Sequence, residues 1–359
     1  MNTLPLDDVL QLGQSISVDR IKKYFDAYVV GQEEVKDVIA QAFFLHFLRT
    51  SYRSFVNEHQ QIPMKKSNAL IMGPSGCGKS YIVSKLKRLC EEFNLYFYEI
   101  NAKELTPSGY VGRSIDDYFR EWAREEGTEK HLLENSIVFI DEVDKLISNA
   151  PTTSSNDFNK EIQCSILKAL EGTTYYGMMR PTRANASSGN ISTENITFIL
   201  AGNFERIRED RKIKAKQTMG FTNTTAPYVK NYHRELITSG LITEITGRIS
   251  LVGELHQLTE KQLYRALVDV DDSIYKQYKE LFKFLGKRLH LSKRVLKEIV
   301  AECNKNGTGT RGLQAELDKA TRKKVAKLDA QNLMQYAIMY EEVVDYETFM
   351  KGKDGKKYD

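Results

Sequence analysis

Apolar positions along the chain follow two rhythms. Residues 32–48, QEEVKDVIAQAFFLHFL, set Val35, Val38, Ile39, Ala42 and Phe43 at helical spacing, which predicts an amphipathic helix after Tyr28-Val29-Val30-Gly31. Residues 69–72, 137–140 and 196–200 are instead short continuous apolar runs that end in polar residues, and residues 95–100 add a fourth. Runs of this length read as buried strands, and helical patterns lie between them. Together they predict an α/β fold with a parallel sheet covered on both faces. In such a sheet, ligands bind beyond the carboxyl ends of the strands.

From about residue 255 the rhythm becomes helical. Thr259 and Gln262 form a capping-box signature, Ile274, Tyr278, Leu281 and Phe282 line one helix face, and Ser292 caps a helix carrying Val295, Leu296, Ile299 and Val300. The expected organisation is a large domain over residues 1–254 and a smaller, mostly helical domain over 255–359. The polar stretches 149–160 and 173–194 hold few large apolar residues and read as loops of the first domain. Residues 351–359, KGKDGKKYD, read as a solvated tail, and no internal repeat is present.

The first chemistry falls at the end of a predicted strand. GPSGCGKS, residues 73–80, follows the run 69–72 and precedes a helix-like stretch, 81–93. Gly73-x-x-x-x-Gly78-Lys79-Ser80 meets the phosphate-loop pattern in the context it requires. The glycines let backbone N–H groups wrap phosphates, Lys79 would reach the β- and γ-phosphates, and Ser80 would hold Mg²⁺. Gly73, Pro74, Ser75, Gly76, Cys77, Gly78, Lys79, Ser80 and Tyr81 are therefore candidate nucleotide-binding residues. Cys77 reads as a small residue suited to a tight loop rather than as a redox thiol.

Residues 136–142, SIVFIDE, supply a buried strand ending in two carboxylates. Asp141 can bind Mg²⁺ through water, and Glu142 can orient and activate an attacking water. Paired with the phosphate loop, they point to a P-loop NTPase that hydrolyses ATP.

Composition narrows the setting. The 359 residues are 41% hydrophobic, enough for a sizeable core. No run approaches the roughly 18 apolar residues of a membrane helix, and the start, MNTLPLDDVL, lacks a signal-peptide pattern, so a cytoplasmic location is expected. Cys77, Cys90, Cys164 and Cys303 form no CxxC pair and the six His form no HExxH, which argues against a zinc site or a disulfide framework. The excess of 52 Lys+Arg over 48 Asp+Glu, a net +4, does not imply nucleic acid. The densest basic run, RIREDRKIKAK at 206–216, is interrupted by Glu209 and Asp210 and reads as a mixed-charge solvated helix.

Taken in order, the motifs resemble the ClpX-type protein unfoldases of the AAA+ ATPases. They are Tyr28-Val29-Val30-Gly31-Gln32, residues 73–80, Gly109-Tyr110-Val111-Gly112, Asp141-Glu142-Val143-Asp144-Lys145, Gly247-Arg248 and Gly309-Thr310-Arg311-Gly312-Leu313. The resemblance runs from about residue 24 to about residue 327, and the Gly-Tyr-Val-Gly and Thr-Arg-Gly-Leu elements are specific to the ClpX and HslU branch. It implies that Val29, Val30 and Gln32 contact adenine, and that Arg248 is an arginine finger inserted into the neighbouring subunit's site. It implies too that Arg311 is the sensor-2 residue and that Asn203 occupies the sensor-1 position, where ClpX proteins usually carry a small residue. Tyr110 would grip substrate polypeptide in the pore of a ring, expected to be a hexamer. Glycine-flanked and on a polar loop, such an aromatic needs only apolar and backbone contact to hold any sequence.

Three features depart from the family. No Cys₄ zinc-binding segment is present, and residues 173–194 carry Arg180 and Arg183 without the Arg-Lys-His tripeptide. Where the family has Ile-Gly-Phe for gripping a ClpP-type peptidase, this chain has Met219-Gly220-Phe221, which either docks on such a partner or packs locally. Two other functions share the nucleotide chemistry: a nucleic-acid-associated motor, and an AAA+ switch in a signalling or defence complex.

Overall fold

Five strands pair in parallel into one sheet. The computed structural model describes residues 16–55, 64–107, 110–125, 128–147, 153–179, 189–219, 230–284, 286 and 288–325. In chain order the strands are β1 (Asn68–Met72), β2 (Phe97–Asn101), β3 (Ile137–Asp141), β4 (Thr174–Tyr175), β5 (Ile191–Ser192), β6 (Thr197–Gly202) and β7 (Ile249–Glu254). The sheet runs β2-β3-β6-β1-β7, all neighbours parallel, while β4 and β5 form a separate antiparallel pair. Strands β1 and β6 are buried along their whole length, as expected when helices cover both faces.

The four apolar runs correspond to β1, β2, β3 and β6. Strand β7 gives no continuous run because it lies at the sheet edge: Ser250 is exposed and Leu251 and Val252 are half-buried. A side chain at Gly253 would be crowded, since a Cβ would sit 3.1 Å from Val35 Cγ2.

The first helices are α1 (Val18–Tyr28), α2 (Glu33–Phe55) and α3 (Lys79–Glu92). The spacing of Val35, Ile39 and Phe43 turns all three into the core. Next come α4 (Ile115–Trp122), α5 (Lys130–Glu134), α6 (Thr153–Glu171), α7 (Glu205–Met219), α8 (Tyr232–Ser239) and α9 (Thr243–Thr246).

Two expectations are corrected here. Residues 149–160 are not simply a loop, because α6 begins at Thr153 and brings Ile162, Ile166, Ala169 and Leu170 to the core at helical spacing. The basic run 206–216 is helical but not merely solvated: Arg211 donates to Glu235 Oε1 at 2.8 Å and to Glu254 Oε2 at 2.6 Å, a nearly buried ionic cluster tying α7 to α8 and β7.

The chain divides into two compact units, one comprising residues up to 25 and 32–256, the other residues 26–31 and those from 257 onward. Within the second, α10 (Glu260–Val268), α11 (Ile274–Phe284), α12 (Lys293–Lys305) and α13 (Thr310–Val325) close over Leu263, Leu267, Tyr275, Phe282, Leu296, Ile299, Leu313 and Leu317. Thr259 and Gln262 complete a capping box on α10, and Ser292 Oγ accepts from Val295 N–H on α12. The expected face of α11 is rotated. Leu281 is 47% exposed, and Tyr275 is buried instead, its hydroxyl accepting from Leu291 N–H at 2.9 Å.

Candidate nucleotide site and substrate loop

The phosphate loop leaves β1 under restraint from both neighbouring strands. Gly73 N–H donates to Gly202 O at 3.1 Å, and Leu255 N–H donates to Met72 O at 2.7 Å. A Cβ at Gly73 would meet Leu255 Cβ at 2.6 Å, so this turn requires glycine. Gly76 and Gly78 hold φ of 77° and 99°, and Gly78 caps α3, whose first residue is Lys79. The loop therefore delivers its N–H groups to the positive end of a 14-residue helix, a setting built for phosphate.

Lys79 Nζ donates to Gly73 O at 2.9 Å. Ser75, Ser80 and Tyr81 are exposed and Pro74 is half-buried. The Lys85 ammonium sits 4.9 Å from the Tyr81 ring centre. Cys77 is only 2% exposed, and burial pushes its thiol pKa up, which makes it inert packing rather than a redox group.

Gln32 clamps this loop. Its amide nitrogen donates to Cys77 O at 3.2 Å and to His256 O at 2.7 Å, while its oxygen accepts from His256 N–H at 2.9 Å. The two side-chain heteroatoms thus join the phosphate loop to the segment after β7.

The acidic pair emerges at the same edge. Ile140 is level with Leu200 and Met72 with Gly202, so Asp141 and the start of the phosphate loop flank the end of β6, about 10 Å apart across two strand spacings. Asp141 Oδ1 accepts from Glu142 N–H at 2.8 Å, and Glu142 sits at φ 58°. Asn203 follows β6 directly, and its N–H donates to Asp144 Oδ1 at 3.0 Å. Four non-glycine residues among those described have positive φ, and three of them, Gln32, Glu142 and Phe204, adjoin this site. Left-handed backbone at such residues costs about 1–3 kcal/mol each and persists only where the surroundings impose it.

Arg248 lies elsewhere. It immediately precedes β7, and its carbonyl accepts from Asn68 Nδ2 at 3.0 Å, at the amino end of β1. Its side chain pairs with Glu171 at the end of α6. Neither Glu171 nor that pairing carries a motif in the sequence.

Val29, Val30 and Arg311 belong to the second unit. Val29 and Val30 are 6% and 7% exposed, whereas Arg311 is exposed in the first turn of α13. Gly312 beside it is required, because a Cβ there would overlap Thr308 Oγ1 at 2.0 Å.

Between β2 and α4 a loop projects a solvent-facing tip. Tyr110 is 62% exposed and Val111 is 103% exposed. The base is held firmly. Leu105 bridges to Arg113, Thr106 N–H donates to Arg113 O at 2.9 Å, and Ser114 and Asp117 form a capping box that starts α4. Gly112, at φ 146°, leaves space occupied by Thr106, whose Cγ2 would lie 2.3 Å from a Cβ. Across the tip, the Tyr110 ring meets Phe158 of α6 edge-on at 5.5 Å. Of the tripeptide at 219–221, Met219 ends α7, while Gly220 and Phe221 lie outside the described residues.

The sequence that builds this arrangement is similar to that of known proteins. The AAA domain (Cdc48 subfamily) profile matches residues 64–252. The chain is 31% identical over 303 residues to "ATP-dependent Clp protease ATP-binding subunit ClpX 2" of Wolinella succinogenes, covering 83% of this chain and 74% of the relative. It is 30% identical over 315 residues to the protein of Treponema denticola called "ATP-dependent Clp protease ATP-binding subunit ClpX", with the same two coverages of 83% and 74%. A third relative, "ClpX 3" of Methylococcus capsulatus, is 29% identical over 349 residues, covering 90% of this chain and 79% of the relative. With the nucleotide cradle in place and similarity of this extent, the chain belongs to the AAA ATPases and, within them, to the ClpX family.

Proposed function

We propose that this ATPase is a protein unfoldase, a ring of subunits that uses ATP hydrolysis to pull polypeptide past Tyr110. The observation that carries it is the loop tip: a valine fully in solvent and a tyrosine that stays mostly exposed although its ring edge meets Phe158, on a base tied by the Leu105–Arg113 bridge. Exposed apolar side chains placed this way suit contact with a partner chain of any sequence.

The chemistry divides among the chain's own residues. The loop N–H groups and Lys79 hold the phosphates, and Glu142 takes a proton from the attacking water while orienting it. Ser80 and Asp141 supply hard oxygen donors that suit Mg²⁺. No three His, Cys, Asp or Glu side chains among the described residues are placed to hold a metal ion by themselves, so such an ion would depend on phosphate and water oxygens to complete its shell. When bound it neutralises phosphate charge. Gln32 keeps the cradle in register, Asn203 occupies the sensor-1 place, Arg311 acts as sensor 2, and Val29 and Val30 border the adenine. Arg248 serves the neighbouring subunit.

The relatives are named as subunits of a Clp protease. By analogy, Met219-Gly220-Phe221 docks on a ClpP-type peptidase, where six weak contacts on a hexamer would gain affinity through multivalency. No helix among the described residues is long and apolar enough to cross a membrane. ATP turnover measured with an unfolded casein-like protein, with DNA and with neither tests the proposal. Stimulation by the unfolded protein alone is expected; stimulation by DNA alone would favour a nucleic-acid motor, and slow turnover indifferent to both would favour a switch.

A further inference from the structure

We infer that Arg208 is a cationic ligand for the terminal phosphate of the bound nucleotide, supplied by the same subunit and positioned by Asn203. Arg208 sits in the first turns of α7 and folds back onto the end of β6, its Nη1 donating to Asn203 O and its Nη2 to Asn203 Oδ1. Asn203 is itself fixed, since its N–H donates to Asp144 Oδ1 at 3.0 Å. The guanidinium is therefore attached to the strand end that lies between the phosphate loop and Asp141-Glu142.

Two of the five guanidinium donors are used by Asn203. Among the described residues no carboxylate pairs with Arg208. Asp144, which touches Asn203, pairs with Lys145 at 3.3 Å. A half-buried cation without an acid partner carries a desolvation cost that an incoming anion would offset. The electrostatics of the loop agree. Burial dominates at Cys77, but the two cations acting on its thiol are Lys79 of the loop and Arg208 of α7.

Lys79 belongs to the loop itself, whereas Arg208 hangs from the strand flanked by Glu142. Arg208 is thus placed on the side of the cradle where water attacks, which assigns it to the terminal phosphate rather than to the ones nearer the ribose. A cation there stabilises charge that grows in the transition state. A side-chain amide followed five residues later by arginine has no recognisable motif, so only the fold brings the pair together.

This inference rests on the ATPase reading, and its test separates the two. Equilibrium binding of ADP and of a slowly hydrolysed ATP analogue, each with Mg²⁺, would be measured for the full chain as wild type, Arg208→Gln, Arg208→Lys and Lys79→Ala. Arg208→Gln should lose about 10- to 100-fold in analogue affinity, the range for a charged hydrogen bond, and keep its ADP affinity within about twofold. Arg208→Lys should recover part of the loss, and both variants should melt with the wild type. Equal weakening of ADP and analogue by Arg208→Gln, or no change in either, would overturn the inference. Failure of the wild type to bind the analogue would overturn the nucleotide site as a whole, and Lys79→Ala marks what that loss looks like.

Discussion

Arg248 donates twice to a single oxygen of Glu171, from Nε at 3.2 Å and from Nη2 at 2.7 Å. This pair sits at the amino end of the sheet, and the phosphate loop sits at the carboxyl end. A five-residue strand separates the two edges by about 15 Å, so Arg248 is placed away from its own subunit's phosphates. The proposed finger role would then place Arg248 at a neighbouring subunit's site. Mixed rings of Arg248→Ala and Lys79→Ala protein should therefore recover ATPase activity that neither variant has alone. If each variant assembles and the mixture stays inactive, the trans assignment fails.

At the nucleotide site, loss of the phosphate contacts and loss of the base should have different signatures. Lys79→Ala should abolish ATP binding. Glu142→Gln should bind ATP and turn over about 10²- to 10⁴-fold more slowly, because removal of a general base leaves the cradle intact. Paired binding and single-turnover measurements distinguish them, and wild-type turnover in Glu142→Gln would remove Glu142 from the mechanism.

The substrate loop should separate hydrolysis from work. Tyr110→Ala removes an exposed ring that is not part of the cradle, so ATPase activity should stay within about twofold while unfolding of a tagged fluorescent protein falls at least tenfold, as for the loss of an aromatic contact. Gly112→Ala should impair unfolding as well, because a Cβ would strike Thr106 and displace the tip. Parallel loss of both activities in Tyr110→Ala would make the tyrosine a packing residue.

His46 on α2 predicts a pH dependence. It is buried, its Nδ1 lies 2.9 Å from Thr197 Oγ1 and its Nε2 lies 3.0 Å from Asn135 O. Burial lowers its pKa to about 4. The unfolded chain therefore binds the proton first, and stability should fall as pH drops from about 6.5 to about 4, by at most about 3 kcal/mol. Denaturant unfolding of wild type and His46→Gln across that window checks this: the variant should be less stable at neutral pH, with a flatter acid limb. Identical slopes would show that His46 does not govern it.

The parts legible in the sequence were those with local signals. Strands β1, β3 and β6 announced themselves because both faces are buried, and the caps at Thr259 and Ser292 because side-chain capping acts within three residues. Strand β7 escaped notice as a half-exposed edge, and the start of α6 escaped because its core contacts begin only after a polar first turn. The contacts of Gln32 with His256, of Arg248 with Glu171 and of Arg208 with Asn203 depend on chain folding rather than spacing, and no single-sequence pattern encodes them.

The central claim, that hydrolysis drives a polypeptide past Tyr110, is tested most directly by following the fluorescence of a folded, tagged fluorescent protein in the presence of excess ATP and a trap for unfolded chains. The wild type should extinguish the signal at a rate that depends on ATP, while Glu142→Gln should leave it nearly unchanged and Tyr110→Ala should slow its loss at least tenfold. Persistent fluorescence with the wild type under conditions where it hydrolyses ATP rapidly, for substrates tagged at either end, would contradict the account.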